Sequence, residues 1–72
     1  MQKRSLIIAG HSTSMALEPE FWAALETLAA ERGTSVAHII AEIDEHRQGA
    51  NLSSAVRVTV LEWFIARAVA DA

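Results

Sequence analysis

The sequence predicts a mainly α-helical domain with one short N-terminal β-strand, completed by a second copy of itself. Three observations carry that expectation. His11-Ser12-Thr13-Ser14-Met15-Ala16-Leu17 alternates, with Thr13, Met15 and Leu17 on one side and Ser12, Ser14 and Ala16 on the other, the period of a half-buried strand. After Glu18-Pro19, three stretches place their apolar residues at helical spacing, separated by Gly33 and by Gln48-Gly49. The chain has 72 residues, of which 51% are hydrophobic, but fourteen of those are alanine. A lone core of that kind supplies only ~3–5 kcal/mol without a staple. The chain has no cysteine, which excludes disulfides and thiolate metal sites and leaves oligomerisation as the staple.

The strand is expected at about 11–17. Its backbone donors and acceptors need a partner, and the same strand of another subunit is the expected one, with Arg4–Ala9 as an extended arm. Pro19 suits the first position of a helix, where its missing N–H costs nothing, and Glu18 and Glu20 suit the positive end of the helix dipole. Phe21, Trp22, Leu25, Leu28 and Ala29 then form a stripe that ends at Arg32-Gly33, giving a first helix over about 19–32. Thr34-Ser35 supplies a cap, and Val36, Ile39, Ile40 and Ile43 form the stripe of a second helix over about 35–47. Asn51 or Ser53 caps a third, over about 53–69. It is apolar nearly all round (Val56, Val58, Val60, Leu61, Trp63, Phe64, Ile65), so it is expected to be buried on more than one side, with a partner subunit as the second cover.

Charge is unevenly spread. The net charge is −3, yet residues 1–17 carry Lys3 and Arg4 and no carboxylate, while residues 18–45 carry seven acids against Arg32 alone. An anionic partner is therefore expected at the N-terminal end. Apolar runs such as Leu6-Ile7-Ile8-Ala9 are far short of a membrane span. The opening Met1–Leu6 imitates a leader only as far as Gly10. A single domain over 1–72, cytoplasmic and with no membrane partner, is the expectation. No phosphate loop, dinucleotide fingerprint or nucleophile elbow is present, so an enzyme is not expected, nor a cofactor.

The order of one strand, a Pro-started helix, a Gly turn with a Ser cap and a second helix resembles the ribbon-helix-helix (Arc/MetJ-like) repressors. The residues that carry the resemblance are Thr13-Ser14-Met15-Ala16-Leu17, then Phe21, Trp22, Leu25 and Leu28, then Gly33-Thr34-Ser35-Val36 with Ile39-Ile40. Over about residues 4–65 the chain looks like one bacterial subfamily, through Gly10-His11-Ser12-Thr13-Ser14, Leu17-Glu18-Pro19-Glu20-Phe21-Trp22, Ala41-Glu42-Ile43-Asp44 and Asn51-Leu52-Ser53-Ser54-Ala55-Val56-Arg57. The resemblance implies an intertwined homodimer in which two strands pair antiparallel and enter the major groove of double-stranded DNA. Base edges would then meet Ser12, Ser14 and Ala16. Phosphates would meet the start of the second helix at Thr34, Ser35 and Val36, with Lys3 and Arg4 reaching neighbouring ones. In a second register, the phosphate clamp sits instead at Asn51–Ser54. The dimer interface is expected to take Thr13, Met15, Leu17, Trp22, Ile39, Ile40, Ile43, Val60, Trp63 and Phe64, and the apolar third helix allows a tetramer.

The functional expectation is thus a sequence-specific transcriptional regulator of repressor type. The alternative is a dimerisation or protein-interaction module that keeps the fold without reading DNA, favoured by outward serines where bidentate base contacts use Arg, Lys, Gln or Asn. Other features have blander readings. His38, Glu42 and His46 fall on one helical face and read as a solvated polar face rather than a metal site. Trp22 and Trp63 lie on apolar stripes and read as core or interface rather than as stacking platforms. Ser35 and Ser53 read as helix caps, not nucleophiles.

Overall fold

The computed structural model describes residues 1–49 and 51–71. An N-terminal hairpin, β1 (Gln2–Ile8) and β2 (His11–Leu17), leads into three helices, α1 (Pro19–Arg32), α2 (Val36–His46) and α3 (Leu52–Asp71). The mostly helical class with the strand at 11–17 is as expected, and the helix bounds agree to within two residues.

The hairpin corrects one expectation. β2 finds its first partner within the chain, because the arm at 4–9 is itself a strand paired antiparallel from Gln2↔Leu17 to Ile8↔His11. The loop is Ala9-Gly10, with φ of 52° and 81°, as two-residue loops with primed turns require. The alternation of β1 is hidden in the sequence. Lys3-Arg4 reads as a charged pair and Leu6-Ile7-Ile8 as an apolar run, yet Arg4, Leu6 and Ile8 turn inward while Lys3, Ser5 and Ile7 turn outward. A two-stranded sheet leaves each strand one unpaired edge, so β2 still offers one.

α1 starts as its sequence dictates. Pro19 occupies the first turn, and the Glu18 carbonyl accepts from the N–H of Phe21 at 2.9 Å and of Trp22 at 3.3 Å. It ends at Gly33, whose φ of 65° is left-handed, while the Thr34 N–H reaches back to the Ala29 carbonyl at 2.9 Å. The Ser35 hydroxyl oxygen caps α2 by accepting from the His38 N–H at 3.1 Å. Asn51 caps α3, its Oδ1 accepting from the Ser54 N–H at 2.8 Å.

The core draws on every element. Ile8, Met15 and Leu17 come from the inner face of the hairpin, Trp22, Leu25, Leu28 and Ala29 from α1, Ile39, Ile40 and Ile43 from α2, and Val56 and Val60 from α3. Burying each large side chain is worth roughly 1.5–3 kcal/mol. This places seven residues expected at a subunit interface (Met15, Leu17, Trp22, Ile39, Ile40, Ile43 and Val60) inside a single chain. Thr13, Trp63 and Phe64 are half-buried. The reason is the hairpin and α3, which together supply the cover expected from a partner. α3 itself is covered on one side only, leaving Val58, Leu61, Ile65 and Val69 exposed.

Candidate nucleic-acid interface

The outer face of the hairpin brings together Lys3, Ser5 and Ile7 of β1 with Ser12, Ser14 and Ala16 of β2. Strand pairing sets Lys3 opposite Ala16, Ser5 opposite Ser14 and Ile7 opposite Ser12. All but Ala16, which is half-buried, are exposed. Ser12, Ser14 and Ala16 therefore share one face, as the alternation predicts. Ser5 and Ile7 join them without having been singled out in the sequence, because the period of β1 is masked. Ile7 is 72% exposed, a large apolar residue at the loop end of a mostly polar face.

Arg4 does not belong to that face. It turns inward, where its Nη1 donates to Glu26 Oε1 at 2.7 Å and its guanidinium lies 4.7 Å from the centre of the Trp22 ring. The expected phosphate contact from Arg4 is thus in competition with two contacts to α1. The other arginines follow the same rule. Arg57 reaches Glu18 at 2.9 Å and lies 6.0 Å from the Phe21 ring. Arg67 pairs with Glu31 and lies 5.5 Å from Phe64. Arg47 pairs with Asp44 at 2.6 Å, and Arg32 sits 4.1 Å over Trp63. Three of the acids at the first helix, Glu18, Glu26 and Glu31, are thereby matched from β1 and α3. Each such contact is worth at most about 1 kcal/mol where exposed. Their arrangement matters more, since Lys3 alone among the lysine and arginine residues makes no ion pair or ring contact among the described residues.

Glu18 accepts from Arg57 Nε at 2.9 Å. The hydrogen bond from Arg57 holds its pKa below the ordinary glutamate value, with a smaller contribution from its own backbone.

The two helix starts are placed differently. Thr34 and Val36 are half-buried and Ser35 exposed, and the Ser35 hydroxyl already serves the His38 N–H. Asn51, Leu52 and Ser53 share a cleft of about 440 Å³ with Thr13, Ser14, Met15 and Ala16. Residues from both faces of β2 line it, so it runs along the strand edge that β1 leaves unpaired. The start of α3 therefore lies beside the ribbon, whereas Thr34, Ser35 and Val36 do not line that cleft. A second groove of about 420 Å³ lies between α2 and α3, lined by Ile43, Val58 and Trp63 together with Glu42, His46 and Arg47. Within α2, His38 Nε2 lies 3.2 Å from Glu42 Oε1, and His46 Nδ1 lies 2.8 Å from the Glu42 carbonyl oxygen. Among the described residues no group of three or more His, Asp or Glu is placed to hold a metal ion. None of the described helices is long and apolar enough to cross a membrane.

A hairpin that presents a polar face, followed by helices that bury its other face, defines a β-ribbon domain of the type used by small regulators. The chain belongs to the ribbon-helix-helix domain family, whose profile matches residues 1–64. Members of that family are typically DNA-binding transcription regulators. A solved structure of an uncharacterized protein from Bordetella pertussis Tohama I is similar to it, with 34% sequence identity and a TM-score of 0.80 over 96% of this chain. The match covers 59% of that protein, so this chain spans about three fifths of its length. Among curated proteins, none matches.

Proposed function

We propose that the protein is a sequence-specific DNA-binding regulator of repressor type that acts as a homodimer, with the outer face of its ribbon in the major groove. The observation that carries this reading is the ribbon's outer face, where Lys3, Ser5, Ser12 and Ser14 are exposed and no carboxylate occurs in residues 1–17. In the proposed dimer the unpaired edges of two β2 strands join antiparallel, each filling the cleft beside the start of the other's α3. Ser12, Ser14 and Ala16 then occupy the centre of the ribbon, and Lys3 stands at its shoulders, toward the phosphates. Hydroxyls donate to or accept from either kind of base, and Ala16 suits a thymine methyl. Such a ribbon discriminates modestly, and pairing of dimers on adjacent half-sites would raise affinity and selectivity.

A second reading, a protein-interaction module that keeps the fold without reading DNA, is favoured by the arginines. All five are engaged by the chain's own carboxylates or rings, and the net charge is −3, so little counterion release is available.

A salt-series binding assay on random and genome-derived duplex pools separates the two. A regulator selects a short palindrome, binds more weakly as salt rises, and loses that selection in S12A/S14A while retaining weak binding to random DNA. Absence of binding at low salt overturns the DNA reading and leaves the interaction module.

A further inference from the structure

α3 is apolar on two sides, and the chain covers only one of them. Val56 and Val60 lie in the core. On the opposite side Val58 is 53% exposed, Leu61 57% and Ile65 54%. With Ala68, these residues are spaced by three, four and three, the a and d positions of a heptad repeat. The residue types are specific: β-branched Val58 and Ile65 at a, and Leu61 at d, the combination that favours two parallel strands.

The flanking charges select the same arrangement. Arg57 takes the g position and Glu62 the e position. Glu62 is exposed and makes no ion pair among the described residues. In a parallel, in-register pair, a g residue lies beside the e residue five positions further on in the other helix. Arg57 of each copy then meets Glu62 of the other, twice by symmetry. An antiparallel pair centred on the same stripe sets Glu62 against Glu62. Arg57 donates from Nε to Glu18 and from Nη2 to the Met1 sulfur at 3.4 Å, a weak acceptor that a carboxylate of the second copy can replace.

We propose that the outer face of α3 is a self-association surface, on which a second copy of this chain docks in parallel through Val58, Leu61 and Ile65, with Arg57 and Glu62 fixing the register. The surface is separate from the edge of β2. If one twofold axis serves both, the assembly is a dimer held at two places; if two axes do, it is a tetramer.

Sedimentation of the full chain over a concentration series, with helix content followed by circular dichroism, tests the surface. L61E/I65E changes two exposed positions, so it should keep its helix content while raising the concentration at which the assembly dissociates by more than about tenfold. Because the chain lacks cysteine, L61C reports the geometry directly. In a parallel pair its two thiols meet across a d layer and form a covalent dimer on mild oxidation, much faster than the thiol of A23C on the exposed face of α1. Wild-type chains that do not associate, an unchanged dissociation in L61E/I65E, or L61C crosslinking no faster than A23C would each overturn the proposal.

Discussion

Arg57 on α3 donates from Nε to Oε1 of Glu18 at 2.9 Å, tying the residue that starts α1 to a helix that begins more than thirty positions later. The Glu18 carbonyl accepts the first two backbone bonds of α1, so the pair fixes the place where the ribbon hands over to the helices. Because the hydrogen bond from Arg57 depresses the folded-state pKa of Glu18, the contribution is full above the ordinary glutamate pKa and is lost as pH falls through the depressed value. E18Q should therefore flatten the dependence of stability on pH in the acid range below that ordinary value, with little change in shape above neutrality. Urea denaturation at a series of pH values measures it. An acid limb as steep in E18Q as in the wild type would place the titrating carboxylate elsewhere.

Trp22 is the second tie between ribbon and helix. It is 1% exposed, and its Nε1–H donates to the Gln2 carbonyl at 2.7 Å, holding the first residue of β1 against α1. W22F keeps an aromatic ring and removes that donor, leaving the carbonyl without its partner, for an expected loss of about 1–3 kcal/mol. For a domain of this size each kcal/mol lowers Tm by about 4–8 °C. Amide exchange should show the loss first in β1, while α2 stays protected.

The helices and the inner and outer faces of β2 were legible in the sequence because each rests on a local signal. Pro19, Gly33, Ser35 and Asn51 punctuate the chain, and Thr13, Met15 and Leu17 alternate without interruption. β1 was not legible, since Arg4 and Ile7 each sit beside a residue of their own kind but point to opposite faces. The arginines were also opaque. Pairing of Arg4 with Glu26 and of Arg57 with Glu18 joins residues 22 and 39 positions apart, so charge counted along the chain suggested a basic arm and an acidic helix where the fold brings the two together. The candidate interface accordingly keeps Ser12, Ser14 and Lys3, adds Ser5, and has Arg4 on its reverse side.

The hairpin loop holds a correctable strain. Ala9 is the one non-glycine residue among those described with a positive φ, at 52°, a conformation that disfavours a residue with a Cβ by roughly 1–2 kcal/mol. Asn is tolerated there and precedes Gly in the preferred two-residue loops. A9N should stabilise the domain by about 0.5–1 kcal/mol, seen as a raised Tm at matched protein concentration. By contrast, Gly33 has a φ of 65° and open space where a Cβ would be added. G33A should therefore destabilise by about 1 kcal/mol through its backbone alone, with no repacking of the core.

Lys3 and Arg4 are neighbours in sequence on opposite faces of β1, and their substitution should separate recognition from stability. If the ribbon meets DNA with its outer face, K3A leaves one phosphate per subunit without its cation. The slope of log affinity against log salt then becomes shallower by about 0.9 for each phosphate no longer neutralised, while stability stays within about 0.5 kcal/mol of wild type. R4A acts through Glu26 and Trp22 instead. It should lower stability by about 0.5–1 kcal/mol and leave the salt slope of the folded protein unchanged. Anisotropy titrations at several salt concentrations, run beside thermal melts of the same samples, give both quantities. A salt slope that responds to R4A and not to K3A would mean that the inner face, or a rearranged arm, meets the phosphates, and the proposed orientation of the ribbon would have to be reversed.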